Sequence, residues 1–359
     1  MPFLRSRGIL ISALSLLAAS LAACGSSGSG STGSTAAAPP EQLRLGYLPN
    51  LTHAPALIGV QDGFFQKELG SATTLKTQTF NAGPAAIEAL FAGSLDASFV
   101  GPNPAINGFI QSHGDALRVV AGATLGGAGL VVQPDEHVTS ATDLKGKHVA
   151  TPQLGNTQDV ALRNWLSAAG LHTDPQTGGD VLISPTDNAT TLSLFQQHKI
   201  DAAWVPEPYL SRLLIEDRGT LLVDEASLWP HGQFPTTLLV VATSFLHEHP
   251  NTVESLIQGE ADALDLIASD PVRAKADANA SLKTLTQKAL STRVLDAAWQ
   301  RLSFSLDPDA ASLQREASNA NSVGLLSTTN LKGILDAAVV DAVLAKAGKP
   351  ALDTAGLTA

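Results

Sequence analysis

Neutral polar residues follow several apolar segments of this chain, and their types suit them to hold a small ligand. Each group stands where a predicted strand ends and a helix begins. A helix start offers free backbone N–H groups and the positive end of the helix dipole, so it attracts an oxyanion without a charged side chain. Asparagine and threonine add hydrogen bonds, and glycine permits close approach. The candidates are Asn50, Thr52, His53, Asn81, Gly83, Gly101, Asn103, Gly155, Asn156, Thr157 and Glu207.

These candidates differ in what else they could do. Residues 153–158 are the strongest group, because Gly155 and three polar residues precede a predicted helix. Glu207, between two prolines, would repel an anion but could hold an amine or an arginine, or be an exposed turn residue. His53 could donate to an anion or serve the scaffold. Any one asparagine or threonine could simply cap a helix. The set as a whole favours a binding site, since it comes from both halves of the chain.

Catalytic motifs are missing from the sequence. It contains no GxSxG, HExxH or Walker motif and no GxGxxG after a predicted strand. The segment His247-Glu248-His249 has the wrong spacing for two metal ligands on one helical face. We therefore predict no catalytic residue, no metal site and no cofactor.

Composition limits the partners. The chain has 359 residues, enough for about two domains, and 44% of them are hydrophobic. Its net charge of −11 argues against nucleic acid, which needs a basic surface, and only 5% of its residues are aromatic.

The first residues predict export. Arg5 and Arg7 precede an apolar run, residues 8–22, that is too short to span a bilayer comfortably, as in a secretory signal peptide. The sequence LAAC, ending at the only cysteine, Cys24, resembles a bacterial lipobox. That resemblance implies removal of residues 1–23 and a lipid on Cys24. The remaining chain would have 20 basic and 33 acidic residues. The Gly/Ser-rich residues up to 40 predict a flexible linker, so residues 24–40 would tether the body to the outer face of the cell membrane.

Strands and helices alternate along the body. Apolar segments at 43–48, 76–80, 95–100, 117–124, 148–151, 181–184 and 200–205 predict strands, with helices between them. This alternation is typical of an α/β fold with a parallel sheet. From residue 244 to residue 345 the pattern is strongly helical, including 254–267, 271–280 and 295–303.

The two halves of the body share a pattern. LDASFVGPNP (95–104) parallels IDAAWVPEP (200–208), and the spacing from Asn50 to Asn81 nearly equals that from Asn156 to Asn188. We predict two α/β lobes with a cleft between them, the second inserted in the first. Residues 41–130 and 236–359 would form lobe 1 and residues 131–235 lobe 2. The chain would cross between them near 129–132 and 237–241.

Four segments carry a family resemblance. They are LRLGYLPNLTHAPALIGVQDGFF (43–65), EALFAGSLDASFVGPNPAINGF (88–109), GKHVATPQLGNTQDVALRNWL (146–166) and DAAWVPEPYLSRLL (201–214). Together they resemble substrate-binding lipoproteins of ABC importers, in the aliphatic-sulfonate, taurine and nitrate group. The resemblance implies a type II periplasmic-binding-protein fold and a ligand held between the lobes. It further implies delivery to a membrane permease driven by a separate ATPase.

Two other functions stay open from the sequence. The chain could be an enzyme of the same fold that uses His53 or Glu207, or a lipid-anchored sensor subunit. The enzymatic members of the thiamin-pyrimidine branch have a cysteine-rich motif, whereas no cysteine follows Cys24 here. We expect a monomer that binds a small anion, with an aliphatic sulfonate or a taurine-like molecule as the best guess.

Overall fold

Two β-sheets organise the protein. The structure, a computed structural model, describes residues 41–176 and 178–359. The strands are β1 (Gln42–Tyr47), β2 (Thr74–Thr79), β3 (Ala97–Val100), β4 (Leu117–Gly126), β5 (Ala128–Val132), β6 (His148–Thr151), β7 (Thr173–Asp174), β8 (Gly178–Gly179), β9 (Leu182–Pro185), β10 (Ala202–Pro206), β11 (Thr220–Asp224), β12 (Pro235–Ala242) and β13 (Leu302–Phe304).

Helices cover both sheets. They are α1 (Ala54–Gln61), α2 (Phe64–Leu69), α3 (Gly83–Phe91), α4 (Pro102–Gln111), α5 (Thr157–Ala168), α6 (Asn188–Gln196), α7 (Tyr209–Ile215), α8 (Thr243–Glu248), α9 (Pro250–Ser269), α10 (Pro271–Thr286), α11 (Thr292–Trp299), α12 (Ala310–Ser322) and α13 (Ala338–Lys346). Short 3₁₀ helices cover 51–53, 141–144, 225–228 and 230–232. No helix in the described residues is long and apolar enough to cross a membrane.

The first sheet is mixed. Its order is β13-β4-β12-β3-β1-β2, in which β1 runs parallel to β2 and β3 while β12 runs antiparallel to β3 and β4. The predicted parallel arrangement is present in β1, β2 and β3, whereas the antiparallel pairing of β12 with β3 and β4 was not predicted. The chain leaves this sheet after β4 and re-enters it at Pro235, which pairs with Leu125 near the end of β4. A strand that re-enters at that end can only run back along β4.

The second sheet has the order β11-β5-β10-β6-β9. Strand β6 is parallel to β9 and β10, whereas β5 is antiparallel to β10 and β11. Each sheet therefore combines a parallel part, whose strand ends lead into helices, with antiparallel strands, most of which flank the connections between the sheets.

The connections lie a few residues away from the predicted crossings. The chain passes from β4 in the first sheet to β5 in the second between Gly126 and Ala128. Both Gly126 and Gly127 have positive φ, 77° and 75°, a conformation that glycine adopts without strain. The return runs between Asp224 and Pro235. The predicted crossings at 129–132 and 237–241 instead lie inside β5 and β12, because both are apolar strands.

The C-terminal third is mainly helical, as predicted, although residues 323–337 form a connection without a helix and one short segment forms a strand. Residues 302–304, which the pattern predicted as helix, form β13 and pair with residues 124–126 of β4. Helix α11 already ends at Trp299. This pairing with a distant strand edge is a tertiary contact that no local pattern encodes.

Separate apolar clusters support the two sheets. One large cluster spans the first sheet and its helices, and smaller ones flank the second. Trp204 is fully buried in the second sheet, 6.1 Å from Trp165, and so belongs to the core. The predicted signal peptide, Cys24 and the linker lie outside the described residues.

Candidate functional site

A small cavity lies between the two sheets. Its volume is about 20 Å³. Residues from both sheets and their loops line it: Leu48, Asn50, Thr52, His53, Asn81, Gly101, Asn156, Thr157, Gln158, Asn188, Pro206 and Thr236. We call it the central cavity.

A second compartment of about 40 Å³ adjoins the central cavity. The two share Leu48, Asn50, Asn81 and Asn188, and the second adds Pro49, Asp187, Ala189 and Tyr209. One water needs roughly 10–15 Å³, and pockets for drug-sized ligands measure about 300–1,000 Å³. The two compartments together therefore suit a ligand of only a few heavy atoms.

Strand ends position these residues. Asn50 follows β1, Gly101 follows β3, Asn156 comes after β6, and Asn188 begins the helix after β9. Ligands of open α/β sheets bind outside the carboxyl ends of the strands. Here the carboxyl ends of both sheets contribute to one cavity.

The start of α5 is the best-formed part of the wall. The backbone of Asn156 is extended, and Thr157 is the first residue of the helix. Asp159 accepts hydrogen bonds of 3.0 Å from the Thr151 hydroxyl, the Gly155 N–H and the Arg163 Nε. These bonds fix the turn that precedes the helix. The Thr157 hydroxyl, by contrast, is buried and has no hydrogen-bond partner in the described part of the chain.

His53 contributes a donor without a charge. It is buried, and burial lowers the pKa of its imidazole from 6.5 to about 3. The backbone N–H of Leu48 donates to its Nδ1 at 3.3 Å. A neutral ring that accepts at Nδ1 carries its proton on Nε2, so His53 retains one N–H donor.

Other hydroxyls of the wall are already engaged. The Thr52 hydroxyl donates to Asn50 Oδ1 at 2.9 Å. The Thr236 hydroxyl donates to the carbonyls of Thr124 and Gly126, at 3.2 and 2.8 Å. The Oδ1 atom of Asn188 is buried and has no partner among the described residues. Thr157 and Asn188 thus each bring to the wall a buried side-chain oxygen that has no partner in the described residues.

The lining of the two compartments contains no lysine or arginine. The starts of α4, α5 and α6 supply positive potential instead, because Gly101, Asn156 and Asp187 stand at their N-caps. Asp187 is an acid in the second compartment, where its Oδ1 accepts from the Thr190 N–H at 3.0 Å. One end therefore favours an oxyanion, and the other presents a carboxylate.

The sequence also matches a known family. The model of the NMT1-like family matches residues 36–282, more than half of the chain. The chain belongs to the NMT1-like family.

Curated relatives of this NMT1-like protein are binding proteins. A "putative binding protein" of Brucella abortus is 28% identical over 64% of this chain and 68% of its own length. The bicarbonate-binding protein CmpA of Synechococcus elongatus is 26% identical over 62% of this chain and 52% of its own. A putative aliphatic sulfonates-binding protein of Escherichia coli is 26% identical over 64% of this chain and 68% of its own length.

Solved structures show the same fold. The alkanesulfonate-binding protein SsuA of Xanthomonas axonopodis, bound to MOPS, has a TM-score of 0.68 at 21% identity, covering 82% of this chain and 96% of its own. The nitrate-binding protein NrtA of Synechocystis has a TM-score of 0.69 at 16% identity. The match covers 82% of this chain and 84% of NrtA. The NMT1-like chain therefore has the two-lobed fold of periplasmic binding proteins.

Seven of the eleven candidate residues line the central cavity of this NMT1-like protein. They are Asn50, Thr52, His53, Asn81, Gly101, Asn156 and Thr157. Gly155 lies next to the wall, where its φ of 72° shapes the turn before α5. Gly83 lies against Pro104, and a Cβ there would overlap the proline ring. Its small size serves the packing of α3 on α4.

Asn103 and Glu207 lie elsewhere. The Asn103 amide points toward α12, with Nδ2 3.4 Å from the Glu316 carbonyl oxygen. Glu207 is fully buried, accepts from the Ser211 hydroxyl and N–H at 2.8 and 3.0 Å, and lies 3.4 Å from Arg301 Nε. Burial raises its pKa to about 7. Glu207 does not line either compartment, because its carboxyl group contacts Ser211 and Arg301 instead.

Sequence reasoning left out several wall residues. Leu48, Thr236 and Tyr209 line the two compartments without having been candidates. Thr236 had one signal, since two threonines interrupt the start of the apolar strand β12. Among the described residues, no group of three or more histidine, cysteine, aspartate or glutamate side chains could hold a metal ion.

Proposed function

We propose that this protein is the extracytoplasmic solute-binding protein of an ABC importer and that it captures a short sulfonate of about taurine size. It would deliver this ligand to a membrane permease driven by a separate ATPase. The observation that carries the proposal is the central cavity, which both sheets line with helix starts and uncharged donors.

The wall chemistry supports a singly charged oxyanion. Three helix starts, the Thr157 hydroxyl and the neutral His53 can each favour or donate to a negative group. No lysine or arginine of the lining would balance a second negative charge. Dianions such as sulfate or hydrogen phosphate are therefore poor ligands for this cavity.

The second compartment supports a short amine at the other end. Asp187 lines it, and a carboxylate attracts an ammonium group. A sulfonate near Thr157 with an amine near Asp187 is the arrangement that taurine offers. MOPS, the ligand named for the Xanthomonas protein, is much larger than these compartments in the conformation described.

We further propose that the protein performs no covalent chemistry. The curated relatives are named as binding proteins. His53 holds its proton on one side and is kept neutral by burial, and Glu207 is enclosed by Ser211 and Arg301. The ligand recovered after long incubation should be chemically unchanged in its NMR spectrum, and a new product would contradict this part of the proposal.

We also propose that the protein is attached to the membrane by a lipid. Cys24 would carry the lipid after removal of residues 1–23, which mass spectrometry of the membrane fraction can test.

The body would be a monomer, with residues 41–130 and 236–359 as lobe 1 and residues 131–235 as lobe 2. The end of β4 at Gly126 and the start of β5 at Ala128 support a first boundary near Gly127. The lobes would close around the ligand and exclude water from it.

A thermal-shift panel tests the ligand. It should include taurine, ethanesulfonate, nitrate, bicarbonate, sulfate and phosphate. A ligand at 100 times its dissociation constant stabilises the folded state by about 2.7 kcal/mol, which raises the midpoint by several degrees. We expect taurine to give the largest shift, ethanesulfonate a smaller one and sulfate little. Sulfate as the strongest ligand, or no shift with any anion, would contradict the proposal.

A further inference from the structure

Two buried glutamates lie where α12 meets the return connection between the sheets. Glu225 opens the 3₁₀ helix at residues 225–228, and Glu316 lies on α12. They are 1% and 2% exposed. Burial raises the pKa of Glu225 to about 7 and that of Glu316 well above its ordinary value, and the charge of Glu225 raises the latter as well.

The side-chain donors at this pair are the indoles of Trp204 and Trp229, at Glu225, and the amide of Asn103, at Glu316. The indole N–H of Trp204 donates to Glu225 Oε2 at 2.8 Å. The other oxygen of Glu225, Glu316 Oε1 and Asn103 Oδ1 are buried and have no partner within residues 41–176 and 178–359. Ionised carboxylates cannot donate, whereas protonated ones supply an O–H group. A protonated pair therefore satisfies this cluster better than an ionised pair.

The neighbouring cation on α12 is engaged elsewhere. The Arg315 guanidinium lies 4.9 Å above the Trp229 ring and donates to the Leu228 carbonyl at 3.0 Å. Arg315 thus ties α12 to the return connection but forms no ion pair with either glutamate in the described residues.

The other charged side chains near Glu225 and Glu316 have partners of their own or are exposed. Asp224, beside Glu225, pairs with Arg301 at 2.9 Å. On α5, which packs against α12, Asp159 and Arg163 pair with each other at 3.0 Å. Helix α4 has no titratable side chain, and His231 of the 230–232 turn is exposed. The charge of Arg315 acts to lower the pKa of Glu316, but within the described residues no cation forms an ion pair with either glutamate.

Helix α12, which carries Glu316, also connects the two sheets. Helix α12 packs on α4, which follows a strand of the first sheet, and on α5, which follows a strand of the second. Asn164 of α5 donates to the Ser322 hydroxyl at 3.0 Å. If the lobes separate, water reaches the interface and both carboxyl groups become hydrated.

We propose that the contact between α12 and residues 225–229 is a pH-dependent latch on lobe closure, which holds while Glu225 and Glu316 carry protons and releases when they ionise. The inference rests on the lobe closure of the proposed function but not on the identity of the ligand. The closed form binds protons that the hydrated, open form gives up, so acidic pH favours closure and a rise in pH opposes it.

The indole signals of the tryptophans test the ionisation directly. In the ligand-free full chain, the ¹H–¹⁵N signal of the Trp204 indole should shift with a midpoint near pH 7, because this group donates to Glu225. Trp299, on α11, serves as the internal control and should not follow this titration. A Trp204 signal that stays constant between about pH 5 and about pH 9 would overturn the proposal.

Small-angle X-ray scattering of the same ligand-free chain tests the opening. The radius of gyration should increase from about pH 5.5 to about pH 8.5 in the unmodified chain. The double variant Glu225→Gln/Glu316→Gln should stay at the low-pH value throughout. The matched control, Glu248→Gln/Glu254→Gln, changes two partly exposed or exposed glutamates and should behave as the unmodified chain.

The outcomes separate the possible failures. A radius that does not change with pH in the unmodified chain would overturn the latch even if the double variant does not fold. If the radius of gyration responds to sodium or ammonium ions at constant pH, and not to pH, then Glu225 and Glu316 bind a cation. That result would also overturn the latch. Because no ligand is added, a wrong ligand assignment cannot produce any of these results.

Discussion

At the scale of single residues, Thr157 is the most informative position. Its hydroxyl is buried in the cavity wall without a partner, so a bound oxyanion would be its acceptor. We expect Thr157→Val to weaken ligand binding by about 1–3 kcal/mol, roughly 5–150-fold, while stability in the absence of ligand is kept. Isothermal titration with the best ligand of the panel measures this.

Thr284→Val is the matched control for Thr157. The Thr284 hydroxyl is exposed on α10 and donates to the Ala280 carbonyl, so its loss should leave affinity unchanged. Equal affinities of the two variants would show that the Thr157 hydroxyl does not contact the ligand.

His53 predicts a pH dependence of stability. Its pKa is about 3 when folded and 6.5 ordinarily, so the unfolded chain binds a proton that the folded chain does not. This contribution is complete above about pH 6.5 and is lost as the pH falls toward 3. We expect His53→Gln to lose less stability than the unmodified chain between about pH 7.5 and about pH 4.5 in urea unfolding. Parallel curves for the two proteins would contradict the neutral, buried imidazole.

The residue types at the site could be predicted because helix starts after strands have a recognisable sequence. Asn50, Gly101 and Thr157 stand at such points, and all three line the cavity. Glu207 could not be assigned, because its partners Ser211 and Arg301 meet it only in the folded chain. Thr236 reaches the wall from a strand more than a hundred residues downstream of β3.

At the scale of elements, α9 contains an unusual buried acid. Both carboxyl oxygens of Glu260 are buried without a partner in the described residues, and burial raises its pKa well above 4.5. The buried carboxyl group of Glu260 lowers the free energy of unfolding by an amount that grows as the pH rises above its ordinary pKa. We expect Glu260→Met to raise the free energy of unfolding at about pH 7.5 and to raise it much less at about pH 4.5.

The control for Glu260 lies on the same helix. Glu254 pairs with Lys346 at the surface, and an exposed ion pair contributes about 0–1 kcal/mol. Glu254→Met should therefore change stability little at either pH. A Glu260→Met variant that loses stability at both pH values would show that its carboxyl group has a favourable partner.

The elements themselves were largely predictable. Alternating apolar segments identified β1, β3 and β10 and the helices after them, because buried strands and helix starts are local patterns. The apolar residues 129–132 and 237–241 were predicted as crossings but form β5 and β12, because their place in a sheet depends on pairing with distant strands. Residues 302–304 became a strand only through pairing with β4.

At the scale of the whole molecule, the first connection between the sheets is tightly packed. Gly127 has a φ of 75°, and a Cβ there would overlap the Leu302 side chain. We expect Gly127→Ala to destabilise the protein by more than the roughly 1–2 kcal/mol of a left-handed alanine. Gly146→Ala is the control, because Gly146 has a φ of 76° but open space around its Cβ position. Equal losses in urea unfolding would show that this connection tolerates a side chain.

The whole account depends on a cavity that both sheets form around a small, singly charged anion. A crystal structure of the protein with the tightest anion of the panel tests this most directly. We expect the anion between the two sheets, with one oxygen accepting from the Thr157 hydroxyl and others near the start of α5 and His53. An anion bound outside this cavity, or one held by lysine or arginine side chains, would contradict the account.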